Sequence, residues 1–197
     1  MEAWLEYAIR QIILYSIPVV VSLTVVGWIE TRLTGSEPPA NPFHALTAYS
    51  AWALPLIAIA VHQPVILAFG RPVQTSLKAA TARFSVHLLL TALGLAFYGW
   101  ALASQPPTGM PPLHQWWAKV LMYFNLCVVM AHLLPLPGLL MGEIVQRYVR
   151  LPAIPHLTLI VLAVLTITPL LNGLIGQPLI YPVYEELARQ ASALAHG

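Results

Sequence analysis

The residues best placed for chemistry lie where an apolar run of this sequence is interrupted. Segment 132–142 places His132, Pro135, Pro137 and Gly138 inside a stretch that otherwise predicts a membrane helix. Each proline removes a backbone donor and clashes with the preceding turn. In hydrocarbon, a broken helix persists only where protein or a polar cavity satisfies the freed backbone groups. The interruption therefore predicts a helix break that lines a site.

The elements that must position this site are membrane helices. Of the 197 residues, 58% are hydrophobic and 8% are charged, and the mean hydropathy is +0.75. Soluble domains carry roughly 25% charged residues. Because several apolar runs reach the roughly 20 residues that cross a bilayer, we expect an all-α integral membrane protein. The predicted transmembrane helices, about five, cover 11–29, 49–69, 84–103, 118–140 and 156–176, and the fourth contains the break.

The domain organisation is simple. We expect one integral membrane domain over residues 1–182 and a short amphipathic tail over 183–197, in which Leu187 stands among charged residues. Such a helix lies on the membrane surface or on a partner. The first apolar run is interpreted as a retained anchor, because Glu2 and Glu6 precede it where a signal peptide has basic residues.

Charge indicates the orientation. The net charge of +2 is too small to indicate a nucleic-acid partner. With five spans, six of the nine basic residues fall on the side of the N-terminus, which the positive-inside rule places in the cytoplasm. We expect a bacterial inner membrane as the location, with the N-terminus on the cytoplasmic side. The six residues are Arg10, Arg71, Lys78, Arg83, Arg147 and Arg150.

Several segments, in their order and spacing, resemble site-2 proteases, the intramembrane zinc metalloproteases. The break resembles the family's Asn-x-Leu-Pro-x-Pro-x-Leu-Asp-Gly segment, and 22–30 falls where the family has His-Glu-x-x-His. Segments 41–55, 69–73 and 82–87 are similar to its Asn-Pro…Leu-Leu-Pro, Trp-Ala-Lys-Pro-Val and Ala-Gly-Pro-x-x-Asn elements. The resemblance covers about residues 16–150 and implies a site-2-protease-like core.

The family's catalytic residues are missing. Val26 and Glu30 stand at the two zinc-binding His positions, Gly27 at the catalytic Glu position, and Leu140 at the zinc-binding Asp position. Zinc catalysis needs about three protein ligands and an open water position, and His-Glu-x-x-His occurs nowhere in the chain. The resemblance therefore implies a pseudoprotease that has no catalytic residue and needs no cofactor.

Two asparagine positions of the family carry histidine here, namely His87 and His132. The resemblance implies that these two and Glu30 face one cavity from three helices, with the carboxylate paired to an imidazole. This set could hold zinc, iron or copper, or the two histidines could be axial haem ligands. Alternatively, the histidines bond to the carbonyls freed by the break or to Glu30, or they serve a proton or quinone reaction.

Three other charged residues have ordinary interpretations. Arg83, one turn before His87, is predicted to extend from its helix end toward the membrane surface. Glu143 and Arg147, four residues apart after the break, are predicted to form an exposed pair.

Three classes of function follow. The first is a noncatalytic scaffold or accessory subunit of a larger integral membrane complex, such as a respiratory or photosynthetic complex or a transporter. The second is a metal- or haem-binding membrane protein that uses His87 and His132, and the third is an unconventional intramembrane metallopeptidase. In the first class the partners are the lipid bilayer and other membrane subunits. The predicted docking face lies on the fifth span, where polar and small residues favour helix–helix contacts: Thr166, Thr168, Asn172 and Gly173.

Overall fold

The computed structural model describes residues 2–35, 41–70, 76–105, 110–149 and 156–196. Within these ranges the chain is helical and has no β-strand, which confirms the prediction of an all-α protein. A 3-10 turn, His44–Thr47, precedes the second helix, and a π-helical segment, Asn172–Ile180, leads into the last one. The α-helices are α1 (Glu2–Thr34), α2 (Tyr49–Ala60), α3 (Leu77–Ala103), α4 (Leu113–Ala131), α5 (Leu140–Val145), α6 (Leu157–Ile167) and α7 (Tyr181–His196).

Two helices are long and apolar enough to cross a membrane. They are α1, with 33 residues and a mean hydropathy of 2.2, and α3, with 27 residues and a mean hydropathy of 1.7. A third candidate is a bent pair, in which α6 and Asn172–Ala195 meet at 81°. The described residues therefore contain two to three candidate membrane spans, which agrees with a membrane protein. The predicted count of five spans is not confirmed.

The predicted helix over 49–69 is wrong in its second half. α2 ends at Ala60 after 12 residues, and 61–70 continues without helix. Pro64 explains the end, because proline disfavours the helical conformation at the preceding residue and cannot donate a helical hydrogen bond. Residues 65–68 are at most 2% exposed. This apolar run is therefore buried non-helical chain, which hydrophobicity alone does not distinguish from a buried helix.

Side-chain contacts define how the long helices run. Trp117 of α4 donates a hydrogen bond to the carbonyl of Ile13 on α1 at 3.4 Å. Further along both helices, the amide of Asn125 donates to the hydroxyl of Ser22 at 2.9 Å. The contacts advance in the same direction on both helices, so α1 and α4 are parallel.

A glycine sets the distance between α3 and α4. A Cβ atom at Gly94 would lie 2.6 Å from the backbone nitrogen of Met122. Small residues let membrane helices approach closely. His87, earlier on α3, bonds to Asn125, later on α4, so these two helices are antiparallel. α1, α3 and α4 thus form an up–down–up bundle.

The predicted break after α4 is present. α4 ends at Ala131 and α5 begins at Leu140. Between them Gly138 adopts a φ of +80°, a left-handed conformation that glycine tolerates without strain. The N–H of Gly138 donates to the carboxylate of Glu143 at 2.9 Å. Glu143 is therefore a buried partner of the break, and its predicted role in an exposed pair with Arg147 is wrong.

The C-terminal helix belongs to the bundle. Ala191 of α7 is fully buried, and a Cβ atom at Gly99 of α3 would lie 3.3 Å from the Ala191 carbonyl. The ring of Tyr184 lies 5.0 Å from that of Tyr123 on α4. The predicted tail over 183–197 is helical as far as His196, and this helix packs against its own chain.

Candidate functional site

A cavity of about 200 Å³ lies at the end of the bundle where α1 and α4 finish and α3 begins. Polar side chains line it among apolar ones, namely Glu30, Arg83, His87, His132, Ser50, His156 and Thr158. Glu30 is four residues from the end of α1, and His87 is ten residues from the start of α3. At about 1.5 Å per residue, these residues lie roughly 6 Å and 15 Å inside their helices. The three predicted polar residues thus come from three elements to one cavity.

The break contributes one wall of this cavity. Pro137 and Gly138 line it, whereas Pro135 is exposed and faces elsewhere. Thr158 of α6 donates a hydrogen bond to the carbonyl of Pro137 at 2.6 Å. α6 therefore holds the broken segment, and a carbonyl freed by the break is satisfied by protein, as hydrocarbon requires.

An ion pair crosses the cavity wall. The guanidinium of Arg83 pairs with the carboxylate of Glu30, whose side chain is 2% exposed. The same guanidinium donates to the carbonyl of Gly138 at 2.9 Å. Arg83 therefore joins α1, α3 and the break. Its predicted extension toward the surface is wrong, since its side chain is 11% exposed. The prediction that Glu30 pairs with an imidazole is also wrong, because the cation that pairs with its carboxylate is the guanidinium of Arg83.

A short relay fixes the tautomer of His87. The amide nitrogen of Asn125 donates to Ser22 Oγ at 2.9 Å and to the Leu121 carbonyl at 2.8 Å. Its oxygen therefore faces His87 Nδ1, at 2.7 Å, and can only accept. In the neutral ring, assigned from these bonds, Nδ1 carries the proton and Nε2 is a hydrogen-bond acceptor.

The opposite tautomer follows for His132. Its Nδ1 accepts from the backbone N–H of Leu140 at 3.1 Å, so the proton of the neutral ring is on Nε2. The residue is 1% exposed, and among the described residues Nε2 has no hydrogen-bond partner. The His87 and His132 ring centroids are 6.3 Å apart. The cavity therefore has one imidazole acceptor and one imidazole donor.

These tautomers bear on the predicted metal centre of Glu30, His87 and His132. A histidine binds a metal through an unprotonated nitrogen, and on His132 that nitrogen is engaged by Leu140. The carboxylate is engaged by Arg83. Within the described ranges, no three His, Cys, Asp or Glu side chains are arranged to hold a metal ion. The geometry therefore does not support this metal site.

The predicted haem site does not fit either. A cavity of about 150 Å³ binds one benzene ring, so about 200 Å³ is too small for a macrocycle of four pyrrole rings. Axial ligation of haem iron by His132 would also have to use Nε2, because Nδ1 accepts from Leu140, and Nε2 carries the proton of the neutral ring. The residues present match neither group, and no chemical step through them follows from this arrangement.

The predicted docking face on the fifth span is divided. Thr166 is buried and donates to a carbonyl of its own helix at 2.7 Å. Asn172 accepts from the hydroxyl of Tyr181 at 2.6 Å. Thr168 and Gly173 are exposed. Asn172 is half-buried and holds the chain at the start of α7, while Thr168 and Gly173 are the exposed members of the four.

Sequence reasoning missed three members of the site, namely Arg83 as a cavity residue, and Asn125 with Ser22 as the partners that orient His87. A signal existed for Arg83, because it is one turn before His87 and therefore shares its helix face. For Asn125 the signal was a single amide in an apolar run, which inside a membrane needs a polar partner.

Comparison of the chain with models of protein families, with curated proteins and with solved structures gives no match. The resemblance to site-2 proteases therefore stays a prediction from the residues.

Proposed function

We propose that the chain is a noncatalytic, site-2-protease-like subunit of a larger integral membrane complex, of which a respiratory or photosynthetic complex is an example. The observation that carries the proposal is the Glu30–Arg83 ion pair in the cavity. By the resemblance, position 30 held a zinc ligand, and the chain now keeps its own cation beside it.

The electrostatics favour this interpretation. A guanidinium stays charged in proteins, and like charges repel strongly where little water screens them. A divalent cation close to Arg83 would face this repulsion and would compete with Arg83 for Glu30. The arginine also donates to Gly138, so it ties the break to α1 and α3. In this proposal, the residues at the family's reaction centre hold α1, α3 and the helix break together.

The position of the family's general base supports the same conclusion. A Cβ atom at Gly27 would lie 3.0 Å from the Cβ atom of Ala45, in the turn that packs against α1. A glutamate at residue 27 would displace this turn. Glycine at residue 27 therefore permits close packing where the family places its catalytic carboxylate.

The outer surface supports a role beside other membrane proteins. Large apolar side chains are exposed along α1 and α3, and among them are Ile13, Val21, Leu89 and Phe97. In a bilayer such faces meet lipid or a neighbouring helix. We propose other integral membrane subunits as partners, a bacterial inner membrane as the location, and the N-terminus on the cytoplasmic side.

Two measurements on the chain isolated from its native membrane test this function. Crosslinking before extraction in mild detergent should join the chain to a stable integral membrane neighbour in constant ratio. The extracted material should show no cleavage of transmembrane substrates that a zinc chelator abolishes. A chain without a constant neighbour, or chelator-sensitive cleavage that is lost in the Gly27→Ala variant, contradicts the proposal.

A further inference from the structure

The cavity has unused hydrogen-bonding capacity that the scaffold role does not explain. His132 Nε2 carries a proton, is buried and has no acceptor among the described residues. A buried donor without a partner costs roughly 1–3 kcal/mol. His87 presents the complementary capacity, because Asn125 holds the proton on its Nδ1. The two imidazoles therefore offer one donor and one acceptor.

The spacing of the two rings suits a single bridging atom. Their centroids are 6.3 Å apart and their planes are tilted by 44°. N–H···O bonds span about 2.7–3.2 Å, and this centroid separation is short enough for one oxygen to reach a nitrogen of each ring. That oxygen must accept from His132 and donate to His87. A hydroxyl group does both, whereas an ether or a carbonyl oxygen can only accept.

The rest of the cavity selects an apolar body. Most of the remaining wall is apolar and includes Leu23, Val26, Leu54, Phe69 and Leu162. Ser50 and Thr158 also line it, and their hydroxyls donate to backbone carbonyls. An apolar cavity of about 150 Å³ binds benzene. The volume here, about 200 Å³, accommodates one six-membered ring and its substituents.

The charges of the cavity favour an uncharged ligand. Glu30 and Arg83 carry opposite charges and pair with each other. Their field is that of a pair rather than of a lone charge, so no net charge in the cavity calls for an ionic ligand. The two imidazoles therefore define one position for a hydroxyl group within a mainly apolar space that holds one ring.

We propose that this cavity binds an uncharged monocyclic aromatic alcohol, of the phenol or hydroquinone class, through one hydroxyl group held between His87 and His132. The ring lies against the apolar wall. The hydroxyl oxygen accepts from His132 Nε2–H, and its hydrogen is donated to His87 Nε2. The proposal concerns binding and is independent of the scaffold role.

Three probes of similar shape test the proposal on the full chain in lipid nanodiscs. p-Cresol has a hydroxyl, 4-methylanisole has only an acceptor oxygen, and toluene has neither. Calorimetric titrations against empty nanodiscs subtract partition into lipid. We expect saturable binding of p-cresol about tenfold tighter than that of 4-methylanisole, because one hydrogen bond is lost, with toluene weaker again. Equal affinities, or no saturable binding because the cavity holds only water, would overturn the proposal.

A matched pair of variants locates the site. His87→Phe keeps a ring but removes the acceptor, so the preference for p-cresol over 4-methylanisole should fall to less than about twofold. His114→Phe makes the same change at an exposed position outside the cavity and should leave the preference intact. A preference that survives in a folded His87→Phe chain would place the ligand elsewhere.

A measurement on the unaltered chain covers the case in which His87→Phe does not fold. Nitrogen NMR of ¹⁵N-labelled imidazoles should report a proton on Nδ1 of His87 and on Nε2 of His132. p-Cresol should shift the Nε2 signals of both rings, and toluene should not. Unchanged Nε2 signals at saturating p-cresol would contradict the proposal.

Discussion

Arg83→Met should be among the most destabilising single substitutions in the bundle. The Glu30 side chain is 2% exposed and that of Arg83 is 11% exposed, so little water is available to solvate the carboxylate once its cation is removed. Removing one partner of a buried ion pair costs about 3–5 kcal/mol. The bond from Arg83 to the Gly138 carbonyl is lost as well, which frees an acceptor of the break.

Reversible unfolding of the purified chain in mixed micelles, followed by circular dichroism as denaturing detergent is added, measures this change. The expected fall in the free energy of unfolding is about 3 kcal/mol or more. Arg189→Met is the matched control. Its partner is Glu186 and the two side chains are 77% and 49% exposed, so the control should change little, as exposed pairs do.

A double variant separates charge from packing. Adding Glu30→Gln to Arg83→Met removes both charges, and replacing a whole buried pair is often close to neutral. More than half of the lost stability should therefore return, which a double-mutant cycle reports as coupling between the two positions. An Arg83→Met chain as stable as Arg189→Met, or a double variant less stable than Arg83→Met, would refute the assignment of a buried ion pair.

The remaining predictions concern packing and the relay. Gly94→Val should prevent correct folding, because a Cβ atom would lie 2.6 Å from the backbone of α4, while Gly173→Val, which meets no atom within 4 Å, should fold normally by size-exclusion profile. Asn125→Leu should lower the free energy of unfolding by about 1–3 kcal/mol, since it leaves the buried polar groups of His87 and Ser22 without this partner. An Asn125→Leu chain with unchanged detergent unfolding would show that the relay is not formed.

The sequence predicted the features whose causes are local. Pro135, Pro137 and Gly138 cannot continue a helix, so the break after α4 followed from residue chemistry alone. The apolar composition likewise required burial in membrane or protein. Composition did not decide which apolar runs are helices. Residues 61–70 are as apolar as a membrane helix, yet they form buried non-helical chain.

The features that the sequence left open depend on tertiary contacts. Arg83 at a helix start resembles any residue that reaches toward the membrane surface, and only the position of α1 provides Glu30 as its partner. Asn172 resembles a docking residue until α7 brings Tyr181 beside it. Glu30 is distant from Arg83 in the sequence, and Tyr181 reaches Asn172 only because the chain bends between α6 and α7. The periodicity of a single helix therefore predicts neither contact.

The mass of the particle that contains the chain in its native membrane decides whether the chain is a subunit of a larger membrane complex. Native mass spectrometry after extraction in lipid nanodiscs or mild detergent gives that mass without disrupting lateral contacts. We expect a particle well above the 21.6 kDa of the chain, with at least one other integral membrane subunit in fixed ratio. A particle that contains one copy of this chain, lipid and no other protein would contradict it.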